Sequence, residues 1–458
     1  LIGSYNSIHF IGIGGTGMSG IAKVLFEMGY RITGSDIKES EATKRLKEMG
    51  VRIDIGHSYG NVGDADLVVV STAIPEDNPE LTEARDRGIP IVHRADILSK
   101  LMDMKKGIAV TGAHGKTTTT SMISLILEKN NFYPTVIIGG ELNDIGGNAA
   151  SGKGDYLVAE ADESDGSFLK LNPKIAVVTN IENDHLDYYK SMENLNNAFI
   201  RFLMKIPEDG FAVLGIDNSN VADVSNRVNI KKISFGIRNN ADYMAENIKF
   251  NGLNSSFNVI YKGKDLGKME LSIPGLHNVY NALAAIAVSH QLGLNLKDIK
   301  RSLVTFRGVK RRFQIIGDFK GLKIIDDYAH HPTEIKATLE AAKQCTPKRL
   351  IAVFQPHRYT RTQNLYEDFG RAFSCADEVV ITDIYSAGEK SIPGVSSELI
   401  INSLEKNHPL VTYINNKDDI PAYLIDKIRP GDYVITIGAG DIWTVAYSLA
   451  NKLRGKTA

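Results

Sequence analysis

The sequence predicts an α/β fold in three domains, and three observations carry that reading. Short apolar runs recur along the 458 residues, each followed by a turn and a helix-like stretch. Two of the turns, at 12–17 and 112–115, are glycine loops of the kind that hold phosphates. A further series of buried-strand patterns begins near residue 314. Strands alternating with helices argue for parallel sheets covered on both faces. A chain this long divides into several cores. The expected domains are 1–104, Rossmann-like; 105–313, P-loop ATPase-type with a mixed sheet; and 314–458, Rossmann-like again.

In the first segment Ile8 to Ile13 reads as a strand, followed by Gly12-Ile13-Gly14-Gly15-Thr16-Gly17-Met18 and a helix to Met28. Arg31 to Asp36 is a second strand with an acid at its end, and Leu67 to Val70 a third. Gly12, Gly14 and Gly17 form a G-x-G-x-x-G, and Asp36 lies nineteen residues beyond Gly17. Alone, that pattern reads as a dinucleotide site. Its physics is only a diphosphate at a helix N-terminus, which NAD, FAD and a UDP-sugar all offer. The second loop tips the balance toward a UDP-type ligand, because redox chemistry would leave ATP unexplained.

The second segment opens with that loop. Gly107 to Thr111 runs into Gly112-Ala113-His114-Gly115-Lys116-Thr117-Thr118, and a helix follows. Glycines turn backbone N–H groups toward an anion, the lysine adds a full charge, and the threonine can ligate Mg²⁺. Only Ala113 and His114 separate Gly112 from Gly115, against four residues in the common P-loop, so an ordinary small GTPase is not expected. Tyr156–Ala159 and Ile175–Thr179 are two further strands. The first ends in Glu160-Ala161-Asp162-Glu163, the second in Asn180-Ile181-Glu182-Asn183-Asp184-His185. Acids at strand ends beside a triphosphate suit hard divalent cations. From 209 to 273 the pattern loosens and predicts an antiparallel sheet. Asn278 to Leu292 is an Ala-rich helix with Asn278 and Asn281 on one face. Those amides suit either an adenine edge or, for Asn278, a helix cap.

In the third segment Leu322–Ile325, Leu350–Phe354, Val379–Ile381 and Tyr433–Ile437 predict a second doubly wound sheet. Arg311-Arg312-Phe313 stands at its start, a charged linker or a phosphate contact. Asp326-Asp327 follows one strand and reads as a ribose-diol site or a helix start. His357-Arg358-Tyr359-Thr360-Arg361 follows another, and its arginines suit a small carboxylate.

Composition removes several classes. Hydrophobic residues are 43% and charged residues 23%, ordinary for a globular protein. Lys plus Arg number 53 against 54 Asp plus Glu, so no bulk charge points to nucleic acid. No apolar run suggests a membrane span or a signal peptide. Cys345 and Cys375 are too few for a disulfide framework and fit a reducing cytoplasm.

Together these motifs resemble the Mur ligases of peptidoglycan synthesis, from Ile11-Gly12-Ile13-Gly14 to Gly438-Ala439-Gly440-Asp441. Asp383-Ile384-Tyr385-Ser386-Ala387-Gly388-Glu389 resembles the alanine-adding branch; a tripeptide-recycling branch shares most of the other motifs. The resemblance implies ATP with two Mg²⁺, Mn²⁺ being an alternative, and UDP-N-acetylmuramate and L-alanine as substrates. It also implies a cytoplasmic monomer or homodimer. Gly112, Ala113, His114, Gly115, Lys116, Thr117, Thr118, Asn278, Asn281, Arg312 and Asp327 would bind ATP. Thr117 and Glu160 would ligate one metal, and His185 would belong to the second metal site. Lys116, Glu160, His185 and Arg312 would be the catalytic set. Gly14, Gly15, Thr16, Gly17, Met18, Asp36, Ser71 and His185 would hold the UDP-sugar, and His331, His357, Arg358 and Arg361 the amino acid. Related ligases carry a carbamylated lysine after the histidine motif. Here Phe199-Ile200-Arg201-Phe202 occupies that neighbourhood, so no carbamate is expected.

Overall fold

A computed structural model describes residues 2–142, 147–408 and 410–457. Its strands form three sheets. The first holds β1 (Ser7–Ile11), β2 (Arg31–Asp36), β3 (Arg52–Ile55), β4 (Leu67–Val70) and β5 (Ile91–His93) in the order β3-β2-β1-β4-β5. All its pairs are parallel. The order reverses between β1 and β4, where open α/β sheets place a ligand crevice. Two of these strands escape the sequence reading, which found three. Arg52–Ile55 has one buried residue, Ile53, with both ends exposed, and Ile91–His93 is three half-buried residues. Neither forms a continuous apolar run.

The second sheet holds β6 (Lys106–Thr111), β7 (Thr135–Leu142), β8 (Gly147–Ala150), β9 (Tyr156–Glu160), β10 (Ile175–Val178), β11 (Phe211–Gly215), β12 (Lys232–Gly236), β13 (Tyr243–Asn251), β14 (Asn254–Tyr261) and β15 (Lys264–Leu271). Their order is β15-β14-β13-β12-β11-β10-β6-β9-β7-β8. The antiparallel expectation for 209–273 is corrected in part. β11 pairs in parallel with β10 and β12, and β12 with β13. Only β13, β14 and β15 are joined by two-residue turns, which parallel neighbours cannot use. Lys262 and Gly263 both take positive φ there, as a type I′ turn requires.

The third sheet holds β16 (Gln314–Phe319), β17 (Leu322–Asp327), β18 (Arg349–Phe354), β19 (Glu378–Ile381), β20 (Val411–Tyr413) and β21 (Asp432–Ile437) in the order β16-β17-β21-β18-β19-β20. β16 is an antiparallel edge strand on an otherwise parallel sheet.

The chain forms two compact units. One comprises 1–247, 257–269 and 280–306; the other comprises 248–256, 270–279 and 307–458. In the first unit one apolar core runs through both sheets. It joins Ile8, Phe10 and Val69 to Ala109, Ala159 and Val178. The helix Thr16–Glu27 reaches the second sheet through Lys23, whose Nζ donates to Ala149 O at 2.7 Å. Phe168 packs edge-on to Phe199 at 5.2 Å between centroids and beside Phe202 at 4.9 Å. All three rings are essentially inaccessible. Phe199 and Phe202 thus belong to the core, while Arg201 between them is exposed. Phe202→Ala should cost about 3–5 kcal/mol, read as a lowered denaturation midpoint at unchanged m-value.

Candidate active site

Helix starts in this chain come in two kinds. Ser40, Asn78, His93, Ser191, Asn218, Asn295 and His331 each cap a helix with a side chain. Arg358, Ser397 and Asp419 precede helices without one, and the glycines Gly15 and Gly115 do so ahead of the helices Thr16–Glu27 and Lys116–Lys129. Their first-turn N–H groups keep donors for an anion, and the helix dipole adds positive potential. Gly115 sits at φ +83°, and a Cβ there would lie 2.4 Å from Asn281 Oδ1. Only glycine fits both constraints.

Strand order explains why three distant motifs meet at the second loop. β6 lies between β9 and β10, with Val110 opposite Glu160 and Thr111 opposite Val178. Asn180 then shapes the loop from the side. Its Oδ1 accepts from His114 N at 2.9 Å and its Nδ2 donates to His114 O at 3.0 Å. Lys116 Nζ lies 2.7 Å from Glu163 Oε1 and donates to Gly112 O at 2.6 Å. Glu163 is nearly inaccessible, and its other oxygen accepts from Thr111 Oγ1 at 3.2 Å. Burial works against the lysine's charge, but the Glu163 carboxylate outweighs it and raises the pKa.

Glu160 ends β9, and its Oε1 accepts from Gly139 N at 2.7 Å. Thr117 begins the helix beside Lys116, and Thr118 is buried. His185 stands in the left-handed region at φ 63°, its Nε2 3.5 Å from Asp184 Oδ2. A small pocket of about 10 Å³, room for about one water, is lined by Ala113, Glu163, Glu182, Asp184, His185 and Phe199 among others. The side chains of Leu186 and Asp187 lie outside the described residues. Asn281 faces the loop, accepting from Thr119 Oγ1 at 3.2 Å. Asn278 instead donates to Pro274 O at 2.6 Å, the local bonding a helix start favours.

At the first loop Gly12 N and Ile13 N both donate to Ser35 O at 2.9 Å, and Gly14 N to Asp36 Oδ2 at 2.8 Å. Asp36 thus holds the loop's own backbone. Thr16 and Gly17 begin the helix, and the Met18 side chain belongs to the core. Ser71 follows β4 at the reversal point of the sheet. Arg94 is a residue that sequence reasoning missed. It pairs with Asp162 at 3.0 Å, and a Cβ on Gly17 would lie 2.8 Å from its Nη1. No motif surrounds it, so only the fold reveals a cation between the loop and the acid cluster.

A second missed feature lies beneath that loop. Glu80 is inaccessible, yet its carboxylate accepts from Ser35 Oγ at 2.5 Å and Asn61 Nδ2 at 2.7 Å. His9 Nε2 stands 3.2 Å away, and His57 Nδ1 3.3 Å. Burial raises its pKa, but these partners more than reverse that and hold it at about 2. The backbone of Ser35 anchors Gly12 and Ile13, so this network fixes the loop from behind.

In the other unit the strand ends of β17, β21 and β18 are adjacent. Asp327 accepts from Phe313 N at 2.7 Å and Ala329 N at 2.8 Å, and burial pushes its pKa up to about 6 against the pull of Arg312. Asp326 accepts from Arg311 Nε at 3.1 Å and Thr436 Oγ1 at 2.7 Å. Arg311 also donates to Gly440 O at 3.1 Å and Gly438 O at 2.6 Å. Arg312 reaches Glu334 at 3.5 Å and lies 5.2 Å over the Tyr328 ring. His331 caps the helix Pro332–Gln344 through Thr333 N. His357 stacks on Tyr385 and meets Arg361 Nη1 at 3.2 Å. Arg358 precedes the helix Tyr359–Ala372 at φ 73°.

Known proteins share this fold. A model described as Mur ligase family, catalytic domain, matches residues 7–106; the Mur ligase middle domain matches 110–289; and the Mur ligase glutamate ligase domain matches 311–440. The chain belongs to the Mur ligase family. Similar Mur ligases include the UDP-N-acetylmuramate–L-alanine ligase of Pelotomaculum thermopropionicum, 54% identical over 98% of this chain and 97% of its own length. The one of Geotalea uraniireducens is 49% identical over 99% and 100%. Among solved structures, the UDP-N-acetylmuramate–alanine ligase of Thermotoga maritima superposes with a TM-score of 0.86 at 32% identity, covering 98% of this chain and 99% of that one. The murein peptide ligase of Psychrobacter arcticus gives 0.72 at 26% identity, covering 98% of each.

The Glu80 network makes this Mur ligase's stability depend on acid. A carboxyl whose pKa is depressed on folding stabilises above its ordinary value, near 4.5, and loses that contribution as pH falls toward about 2. Glu80→Gln should therefore flatten the pH dependence of unfolding free energy between those values by roughly 2–3 kcal/mol, measured by denaturant titration at each pH.

Proposed function

We propose that this chain joins L-alanine to the lactyl carboxylate of UDP-N-acetylmuramate, driven by ATP, as a step in peptidoglycan precursor synthesis. The observation that carries the reading is the second loop. An uncapped helix start, a lysine paired with a buried glutamate and two flanking acid-ended strands stand in one place, in a chain about half identical over its full length to ligases of that name.

The chemistry is carboxylate activation. The γ-phosphoryl group passes to the lactyl carboxylate, and the acyl phosphate is then attacked by the amine of alanine. Lys116 and the N–H groups of 115–118 offset the charge of the moving phosphoryl group. Glu160 and Thr117 offer hard oxygen donors of the kind Mg²⁺ accepts, and His185 would belong to the second metal site. Bound there, Mg²⁺ would neutralise phosphate charge. The uncapped start at Gly15 would take the UDP diphosphate. Arg358 and Arg361 would take the amino acid's carboxylate. Among the described residues no helix is long and apolar enough to cross a membrane, and a cytoplasmic enzyme is the proposed setting.

Phosphate release with ATP, Mg²⁺ and UDP-N-acetylmuramate tests the reading. Release should require L-alanine; release with a murein tripeptide but not alanine would reassign the chain to peptide recycling. Lys116→Ala should lower ADP formation at least about 1,000-fold, the scale of losing a phosphate-stabilising charge, while binding of the UDP-sugar by calorimetry changes little. Arg361→Ala should raise the KM for alanine about 10- to 100-fold, as the loss of a charged hydrogen bond implies, with the KM for ATP unchanged.

A further inference from the structure

Alanine reaches the enzyme as an ammonium, and only the neutral amine attacks an acyl phosphate. A ligase therefore needs a group that removes a proton near the amino acid. Three histidines stand close together in the unit that carries Arg358 and Arg361, and their hydrogen bonds give them different capacities.

His331 uses its Nδ1 to accept from Thr333 N and serves as a helix cap. His357 Nδ1 faces Arg361 Nη1 at 3.2 Å. Since a guanidinium only donates, that nitrogen accepts, and the neutral ring presents Nε2–H. His357 is thus a donor toward any ligand. His330 has the opposite arrangement. Its Nδ1 lies 3.1 Å from Tyr328 O and 3.3 Å from Glu334 Oε2, two acceptors that fix the proton on Nδ1. Its Nε2 is then a lone pair, and no protein group among the described residues hydrogen-bonds it. The side chain retains 20% exposure, and its ring lies 5.9 Å from that of His357.

We propose that His330, held as its Nδ1–H tautomer by Glu334 and the Tyr328 carbonyl, is the general base that deprotonates the incoming amino acid. The assignment rests on the ligase reading above. Nε2 takes one proton from the ammonium, leaving a neutral amine and an imidazolium beside the Glu334 carboxylate. The amine nitrogen bonds to the acyl carbon, and the carbon–oxygen bond to phosphate breaks. The departing phosphate carries away the second N–H proton, and His330 returns its own to solvent.

The surroundings suit such a base. Glu334 faces the ring from its own helix, Arg312 from the segment before β16, Tyr328 from the loop after β17, and His357 and Arg361 from the loop and helix after β18. In the resting state burial lowers the ring's pKa to about 4, Glu334 opposing and Arg361 and Arg312 assisting, so the ring is neutral and able to accept. An amino acid whose carboxylate pairs with Arg361 would cancel part of that cationic influence and strengthen the base as it binds.

Hydroxylamine separates this role from a structural one. It is already neutral at pH 7, and it traps acyl phosphates as hydroxamates without a base. With ATP and UDP-N-acetylmuramate, His330→Gln should lower kcat for L-alanine at least about 100-fold, the usual worth of a general base. Hydroxamate formation by the same variant should stay within about threefold of the unmodified chain, which also shows that it has folded. Unimpaired alanine ligation, or an equal fall in both reactions, would overturn the assignment. The unmodified chain gives an independent reading. At saturating alanine, kcat should fall on the acid side with a single protonation that hydroxamate formation lacks; parallel profiles would overturn it. An unmodified chain that yields neither product would overturn the ligase reading itself.

Discussion

A buried carboxylate must have a cationic partner, and much of the first unit is arranged around one such pair. Lys116 and Glu163 meet at 2.7 Å where almost no solvent reaches the carboxylate. Leaving either charge alone there would cost several kcal/mol, on the order of the penalty for an uncompensated buried ion. The pair exists because β6 and β9 are neighbours in parallel register, one supplying the lysine's loop and the other the glutamate's. Thr111 and Tyr189 secure Glu163 from two sides, through its side chain and its carbonyl. The lysine is therefore positioned by the sheet itself rather than by a mobile loop.

The same logic governs the third sheet with different chemistry. Arg311 binds Asp326 and the carbonyls of Gly438 and Gly440, tying the ends of β17 and β21 together. Its neighbour Arg312 is left facing Tyr328 and Glu334. Two adjacent arginines, indistinguishable by type, thus receive unlike tasks because the backbone at Arg311 turns through φ 59°.

Most of the sheet strands were legible because they are buried on both faces and read as continuous apolar runs. β9, β10, β18 and β21 are of this kind. The short, half-exposed β3 and β5 lacked that signal. In 209–273 the Asn-rich turns masked β11 and β12, which continue the parallel sheet before the hairpins begin. The glycine loops and strand-end acids were visible as local patterns. Arg94, Glu80 and His330 were not, since each owes its meaning to partners distant in sequence or to one atom's orientation. Ser35 is 45 residues from Glu80, and His330 differs from His331 in whether its Nδ1 donates or accepts.

The bare helix starts behind the two glycine loops have a thermodynamic consequence. A side-chain cap is worth roughly 1 kcal/mol to a helix, and Gly15 and Gly115 forgo it. A phosphate oxygen accepting from the same N–H groups is chemically a cap residue delivered from solution. Filling either loop and completing its helix are then a single equilibrium. On the proposed reading each nucleotide would act as a detachable piece of the fold, and the melting temperature would become a titration curve for it.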